Sequence, residues 1–371
     1  MGMPEHFNSA WLPTAVGSLP LADAAEAWVW ILKYLPQLPV WPQLPRRTYL
    51  ENMYAQFSEN FPGIVVDLEG ERTYLGRPQD LDHDLERLYL AYLQNDLEYG
   101  VIGPEYAAAL HYLFGHVSPS PDKERDSASV GTGTERFFDV RPAAVKGQVT
   151  GPISWGLMVT DENRRPLLYD EIIADAIAKH LRLKATWQEQ QLKTVAPQTI
   201  VFVDEPYMSS FGSGFVSLSR DQVVTLLEEV FAGIEGLKGV HCCANTDWSV
   251  LLDTSVDILN LDAYEYAESL SLYPDAVGAF LERGGIIAWG IVPAGPAVEG
   301  QTVDSLLDRL HHAMNLLAQK GVPLEKMLAA GLVTPSCGVG SLDRQTAERV
   351  LELTAEVSAQ MRARYVIDRP A

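Results

Sequence analysis

The chain has 371 residues, of which 47% are hydrophobic, and its 28 Lys and Arg against 49 Asp and Glu give a net charge of −21. This charge repels phosphate, so nucleic acid and anionic membrane surfaces are unfavourable partners. The hydrophobic fraction is typical of a globular protein and excludes an intrinsically disordered chain. Three cysteines, two of them adjacent, argue against a disulfide scaffold and point to metal or thiol chemistry.

No segment has the pattern of a targeting signal or membrane span. Residues 1–8 lack the basic and apolar regions of a signal peptide. The apolar stretch 27–35 contains Lys33 and is followed by Pro36, whereas a membrane helix needs roughly 20 apolar residues. We therefore expect a cytoplasmic protein with no membrane contact.

Short apolar runs alternate with helix-like periodicity along most of the chain. The predicted strands lie near 14–18, 98–103, 145–149, 199–203, 238–243, 256–262, 285–291 and 330–336. The predicted helices lie near 82–96, 169–195, 220–234, 248–253, 273–283, 303–320 and 344–362. Eight strands, alternating with helices from the third strand onward, predict a single (β/α)₈ TIM barrel domain over 1–371, with its active site at the carboxyl ends of the strands.

Two segments depart from this alternation. Between the first two predicted strands, about 20–97, prolines recur at every third position from Pro36 to Pro45 and a helical pattern follows. This indicates an N-terminal helical elaboration of the barrel. Residues 115–135 are rich in Ser, Gly, Asp and Pro and lack periodicity, which indicates a flexible loop, either a plain surface loop or a lid.

Candidate metal ligands lie at the ends of three of the predicted strands. His241 and Cys243 are two residues apart, so both side chains lie on one face of a strand. Asp262 ends the predicted strand near 256–262, and Cys337 directly follows the one near 330–336. Imidazole, thiolate and carboxylate are Zn²⁺ ligands, and their wide spacing favours a catalytic metal. The alternative is that the cysteines are small core residues and His241 a hydrogen-bonded core histidine.

Six motifs, in this order, match a known pattern: Val16-Gly17-Ser18, Gly147-Gln148-Val149-Thr150-Gly151-Pro152, Val203-Asp204-Glu205-Pro206, Val240-His241-Cys242-Cys243, Asp262 and Thr334-Pro335-Ser336-Cys337-Gly338. Together they resemble the C-terminal catalytic barrel of cobalamin-independent methionine synthase, in the uroporphyrinogen decarboxylase/methionine synthase-like superfamily. The resemblance covers nearly the whole chain.

The resemblance implies a zinc-dependent methyltransferase. The zinc ligands would be His241, Cys243, Asp262 and Cys337. A homocysteine-like acceptor would lie against the backbone of Gly17 and Ser18, with its amino group near the catalytic residues Asp204 and Glu105. Metal coordination strongly lowers the pKa of a thiol, so the bound acceptor would react as a thiolate.

The sequence differs from this family at the third zinc ligand and at the residue that would act on the methyl donor. Asp262 stands where the family has Glu, and the stretch 289–296 lacks the His that protonates a departing folate nitrogen. A methylcorrinoid leaves as cobalt(I) and needs no general acid. We therefore expect a corrinoid protein as methyl donor and partner.

Other functions stay open. The same methyltransferase chemistry could use methyltetrahydrofolate as donor or a different thiol, such as a coenzyme M-like compound, as acceptor. A non-catalytic barrel that binds a metal or small ligand is a second alternative. A uroporphyrinogen decarboxylase-like enzyme is a third, suggested only by Pro39-Val40-Trp41.

Overall fold

The computed structural model describes residues 7–76, 80–117, 137–214 and 216–366. Within these residues the strands are β1 Ile64–Asp67, β2 Arg72–Leu75, β3 Val145–Thr150, β4 Thr160–Asp161, β5 Thr199–Asp204, β6 Leu237–Cys242, β7 Ile258–Leu261, β8 Ile286–Val292 and β9 Gly331–Pro335. Strands β3 and β5 to β9 form one parallel sheet, in that order. Strands β1, β2 and β4 form a small separate sheet.

The α-helices of the described residues are α1 Ala24–Tyr34, α2 Met53–Gln56, α3 Leu81–Gln94, α4 Ala108–Val117, α5 Pro152–Met158, α6 Glu171–Leu192, α7 Arg220–Phe231, α8 Trp248–Leu252, α9 Ala263–Leu270, α10 Pro274–Glu282, α11 Val303–Ala318, α12 Leu324–Ala329 and α13 Arg344–Tyr365. The predicted helices are confirmed as α3, α6, α7, α8, α10, α11 and α13. Among the described residues, no helix is both long and apolar enough to cross a membrane.

Local sequence explains where several of these helices begin. The side chains of Asp170, Ser219 and Asp343 accept hydrogen bonds from backbone N–H groups in the first turns of α6, α7 and α13. These N–H groups have no partner inside a helix, so a capping oxygen stabilises the start.

Two extended segments join the edges of the six-stranded sheet. The backbone N–H of Thr14 donates to the carbonyl of Val333 in β9 (3.0 Å). The backbone N–H of Lys146 in β3 donates to the carbonyl of Pro39 (2.8 Å). The two segments bond each other through the N–H of Gln43 and the carbonyl of Gly17 (3.1 Å). The parallel sheet and these segments form a closed, TIM-barrel-like ring, which confirms the predicted fold class.

The second position of this ring corrects the prediction. It is taken by the proline-bearing segment 39–43, whereas residues 98–103, the predicted second strand, begin within the 3-10 helix Leu97–Gly100. Prolines have no N–H to donate to a strand ladder, so this segment lacks the usual appearance of a strand. Most of the elaboration therefore follows the second barrel segment. Of the predicted loop 115–135, residues 118–135 lie outside the described residues.

Apolar side chains fill the end of the barrel opposite the site. One buried cluster draws residues from around the ring: Leu12, Leu38, Ala144, Ile200, Phe202, Ile258, Ile286, Ala288 and Leu332. Asp204, His241 and Cys243 lie further along their strands or directly after them, toward the carboxyl ends. Polar side chains there have cavity space beyond them, which is where TIM barrels place active sites.

Candidate functional site

Three potential metal ligands meet at the carboxyl ends of β6 and β9. The ligand atoms of His241, Cys243 and Cys337 all lie within 4.8 Å of one another. The Nε2 atom of His241 is buried and has no hydrogen-bond partner in the described structure. One imidazole nitrogen and two thiol sulfurs form a donor set that suits Zn²⁺. The residues present therefore fit a zinc ion.

The two thiols and the imidazole influence one another. The Cys337 side chain lowers the pKa of Cys243, an effect that burial of Cys243 opposes. Burial is the largest single effect on His241 and disfavours its charged form, but Cys337, Asp204 and Asn260 together outweigh burial and raise the His241 pKa. The three groups are therefore close enough to interact electrostatically.

Asn260 in β7 orients His241. Its Nδ2 atom lies 2.8 Å from the carbonyl oxygen of Ala288 and 2.8 Å from Oγ1 of Thr334. A carbonyl oxygen only accepts, so this atom is the amide nitrogen and Oδ1 faces His241. Oδ1 lies 2.7 Å from Nδ1 of His241. Asn260 was not among the predicted site residues.

Asp262 lies beside this group but outside it. Its Oδ1 accepts the backbone N–H of Glu265 (2.9 Å) and so caps the start of α9. Burial raises the pKa of Asp262 to about 6. The structure thus brings together three of the four predicted ligands, and the carboxylate of Asp262 is not among the mutually close ligand atoms.

Cys242 has no place in the cluster. Its thiol donates to the carbonyl of Ala244 (3.4 Å), and burial raises the pKa of Cys242 to about 12. Adjacent strand residues point to opposite faces, so Cys242 packs outside the barrel interior while His241 and Cys243 face inward.

A cavity of about 320 Å³ opens onto the cluster. Its lining comes from three parts of the chain: Val16, Ser18, Gln43, Pro45, Glu51, Asn52 and Met53; Asp204, Pro206, His241 and Cys243; and Cys337, Gly338, Gly340 and Ser341. The cavity is at the lower end of the size range of small-molecule sites.

Asp204 and Glu205 are neighbours in sequence with different surroundings. Asp204 lines the cavity, and its buried Oδ1 has no hydrogen-bond partner in the described structure. Burial raises the Asp204 pKa to about 6, although Lys146 and His241 act in the opposite direction. Glu205 instead accepts the N–H groups of Ile153 and Ser154, at 2.9 and 2.7 Å, at the start of α5.

The second cavity carboxylate is Glu51 rather than Glu105. Glu51 is 1% exposed and accepts the N–H of Leu44 (2.8 Å) and a hydrogen bond from Arg47 (3.0 Å). Glu105 is exposed and outside the lining, and its carbonyl accepts from Arg47. The motif-based assignment followed the order of residues along the chain, which does not reveal that the turn around Glu51 folds over the barrel mouth.

Ser18 lines the cavity, and Gly17 precedes it in the first barrel segment. The Ser18 carbonyl accepts the N–H of Val339 (3.1 Å), and its hydroxyl accepts that of Gly340 (3.2 Å). Gly17 has φ +152°, and a Cβ there would lie 2.9 Å from side-chain atoms of Gln43 and Gln148. Ser18 therefore also holds the loop that follows Cys337.

Comparisons with known proteins establish the fold. No protein-family model and no curated protein matches this chain. A methyltransferase from Methanosarcina mazei is structurally similar, with a TM-score of 0.50, 11% identity and coverage of 93% of both chains. A B12-independent methionine synthase from Shewanella sp. W3-18-1, in complex with selenomethionine, has a TM-score of 0.46 and 18% identity, covering 78% of this chain and 91% of that one. A putative vitamin-B12 independent methionine synthase from Listeria monocytogenes has a TM-score of 0.42 and 14% identity, covering 62% and 70%. This chain is thus similar in fold to the Methanosarcina mazei methyltransferase.

Proposed function

We propose that this protein is a zinc-dependent methyltransferase that methylates a thiol. Its acceptor would be homocysteine, its product methionine and its methyl donor a methylcorrinoid protein. The observation that carries the proposal is the convergence of His241, Cys243 and Cys337 at a cavity that also contains an unpartnered carboxylate, Asp204.

His241, Cys243 and Cys337 would hold zinc through one nitrogen and two sulfurs, which leaves room for further ligands. When bound, zinc lowers the pKa of a coordinated thiol and so maintains the acceptor as a thiolate near neutral pH. We propose Asp262 as the additional ligand. Its carboxylate would then bind zinc as well as cap the start of α9.

The charge of the cavity supports an acceptor with an amino group. Asp204 and Glu51 are its carboxylates, and the described lining contains no Lys or Arg. Arg47 already pairs with Glu51, whereas Asp204 Oδ1 is free to accept an ammonium N–H. A sulfonate, as in a coenzyme M-like thiol, would meet repulsion there.

A corrinoid donor agrees with the residues around the cavity. His241 is the single histidine of the described lining, and its proposed role is ligation, so no second imidazole is available to protonate a folate nitrogen. In transfer from methylcobalt, the acceptor sulfur forms a bond to the methyl carbon and the cobalt–carbon bond breaks. The electron pair stays on cobalt, so the leaving group needs no proton.

The first test is metal content. The purified wild type should contain about one zinc per chain, and Cys337→Ala should lose it. The matched control Cys242→Ala should keep the zinc, because the Cys242 thiol is hydrogen-bonded to the Ala244 carbonyl and is not part of the cluster. X-ray absorption should detect one additional sulfur ligand when homocysteine is added. A wild type that binds no zinc after loading would reject the proposal in favour of a non-catalytic barrel.

The second test identifies donor and acceptor. Methylcobalamin and methyltetrahydrofolate are each supplied with homocysteine or 2-mercaptoethanesulfonate, and thioether formation is measured. The proposal predicts methionine from methylcobalamin and homocysteine. Activity with the folate alone would overturn the donor, and a preference for the sulfonate would overturn the acceptor.

A further inference from the structure

We infer that Asn260 is a positioning residue that presets His241 for metal binding by dictating which imidazole nitrogen carries the proton. The inference rests on the proposed zinc function, but the tautomer it assigns belongs to the protein before any metal binds. It adds a residue outside the ligand set to the machinery of the site.

The assignment follows from the two donors of one amide. Asn260 Nδ2 donates to the carbonyl of Ala288 and to the Thr334 hydroxyl oxygen, each at 2.8 Å. Because these bonds use both amide hydrogens, only Oδ1 is left for His241, and it can only accept. Nδ1 of His241 must therefore donate across the 2.7 Å contact.

Protonation at Nδ1 determines the state of the other ring nitrogen, Nε2. A neutral imidazole carries one proton, so protonation at Nδ1 leaves a lone pair on Nε2. Nε2 is buried, has no partner in the described structure and belongs to the residue that groups with Cys243 and Cys337. The opposite tautomer would direct a hydrogen at the metal position and would have to be converted before ligation.

Asn260 also links the strands that carry the ligands. It lies in β7, bonds His241 in β6 on one side, and reaches Ala288 in β8 and Thr334 in β9 on the other. Cys337 follows β9 by two residues. Asn260 is fully buried, so a single amide ties the histidine to the strand from which the second cysteine departs.

Three variants separate these contributions. Asn260→Ala removes every hydrogen bond of the side-chain amide. Asn260→Asp keeps an acceptor for His241 Nδ1 but places an oxygen against the carbonyl oxygen of Ala288. Thr334→Val is the matched control, because it breaks a bond of the same amide and leaves the His241 contact intact. Circular dichroism and thermal unfolding establish that each variant is folded.

The first readout is the tautomer in metal-free protein labelled with nitrogen-15 histidine, at about pH 9 so that imidazole is neutral. Signals of His241 are assigned by their loss in His241→Gln. The wild type, Thr334→Val and Asn260→Asp should show Nδ1–H, and Asn260→Ala should show an Nε2–H population. An Nε2–H form in the wild type would overturn the inference.

The second readout is zinc affinity, measured by competition with a chromophoric chelator. Loss of a residue behind a metal-binding histidine typically costs about 10- to 100-fold in affinity. We expect that loss in Asn260→Ala, a smaller loss in Asn260→Asp and less than about threefold in Thr334→Val. Folded Asn260→Ala with wild-type affinity would overturn the inference. If the wild type binds no zinc while the Nδ1–H tautomer persists, the proposed function fails and the tautomer assignment stands.

Discussion

The hydroxyl of Ser18 accepts the backbone N–H of Gly340 across 3.2 Å, which joins the first barrel segment to the loop that begins at Cys337. Arg46 reinforces this loop by donating to the carbonyls of Gly340 (3.2 Å) and Ser341 (3.1 Å). The position of the Cys337 sulfur therefore depends on how closely this loop can approach Ser18.

Gly338→Ala should weaken zinc binding because it disturbs the close contact between this loop and Ser18. A Cβ at position 338 would lie 2.3 Å from the Oγ of Ser18, so either the loop moves or the hydroxyl rotates and loses Gly340. We expect zinc affinity to fall about tenfold or more, as for other losses of support around a ligand. Zinc titration with a competing chelator measures it.

The double variant Ser18→Ala/Gly338→Ala supplies the control. Without Oγ, the nearest Ser18 atom, Cβ, lies 3.6 Å from the added methyl group, an ordinary contact. Zinc affinity should recover toward that of Ser18→Ala alone. Equal losses in the single Gly338 variant and the double variant would show that the steric account is incorrect.

Asp204→Asn should weaken acceptor binding, whereas Glu205→Ala should weaken the fold. Asp204 Oδ1 has no protein partner to lose, and burial raises the Asp204 pKa to about 6, so its charge disfavours the folded state near neutral pH; Asp204→Asn should leave the free energy of unfolding unchanged or raise it. The KM for homocysteine should rise about 10- to 100-fold, because a charge-assisted hydrogen bond contributes about 1.5–3 kcal/mol. Steady-state kinetics and chemical denaturation measure the two quantities.

Glu205→Ala should instead destabilise the fold. It leaves the buried N–H groups of Ile153 and Ser154 without their acceptor, which costs on the order of 3 kcal/mol. A KM unchanged in Asp204→Asn, or a stability unchanged in Glu205→Ala, would contradict the division of roles between these neighbours.

Glu51→Gln and Glu105→Gln test which carboxylate belongs to the site. Glu51 accepts N–H groups from Leu44, Ala108 and Arg47, so a Gln amide nitrogen there would face at least one of these donors. We expect a loss of about 1–3 kcal/mol of stability and a raised KM for the acceptor. Glu105→Gln should change neither quantity, because Glu105 is exposed. The reverse pattern would restore the assignment of Glu105.

His180 should make the protein less stable in acid. Its Nε2–H donates to the carbonyl of Phe57 (2.8 Å), and burial lowers the His180 pKa to about 3. An unfolded histidine has a pKa of about 6.5, so below that pH the unfolded state gains a proton that the folded state does not. Stability should fall as the pH drops from about 6.5 toward 3, by about 2 kcal/mol at pH 5.

His180→Gln should remove this contribution while keeping a donor for Phe57. The measurement is the denaturation free energy of wild type and variant at about pH 7 and pH 5. His83→Gln, whose side chain is 72% exposed, is the matched control. An acid dependence that is the same in wild type and His180→Gln would exclude His180 as its source.

Short-range sequence patterns predicted most of the strands and helices. Six predicted strands and all predicted helices appear because each signal lies within a few consecutive residues: a buried apolar run, a helical period or a capping side chain. The placement of His241 and Cys243 on one face follows from the two-residue period of a strand.

Other features depend on residues distant in sequence. Segment 39–43 becomes part of the barrel only because Lys146 and Gly17 supply its hydrogen bonds, and no local signal marks this pairing. Glu51 lines the cavity through a turn held by Leu44 and Arg47.

By itself, the amino-acid sequence determined the strand and helix periods and which ligand types occupy strand ends, because these are properties of neighbouring residues. Only the tertiary structure decided that Asp262 caps a helix beside the cluster and that Asn260 sets the His241 tautomer. These decisions depend on angles and distances of a few ångströms between strands, which arise when the ring closes and buried polar atoms must find partners.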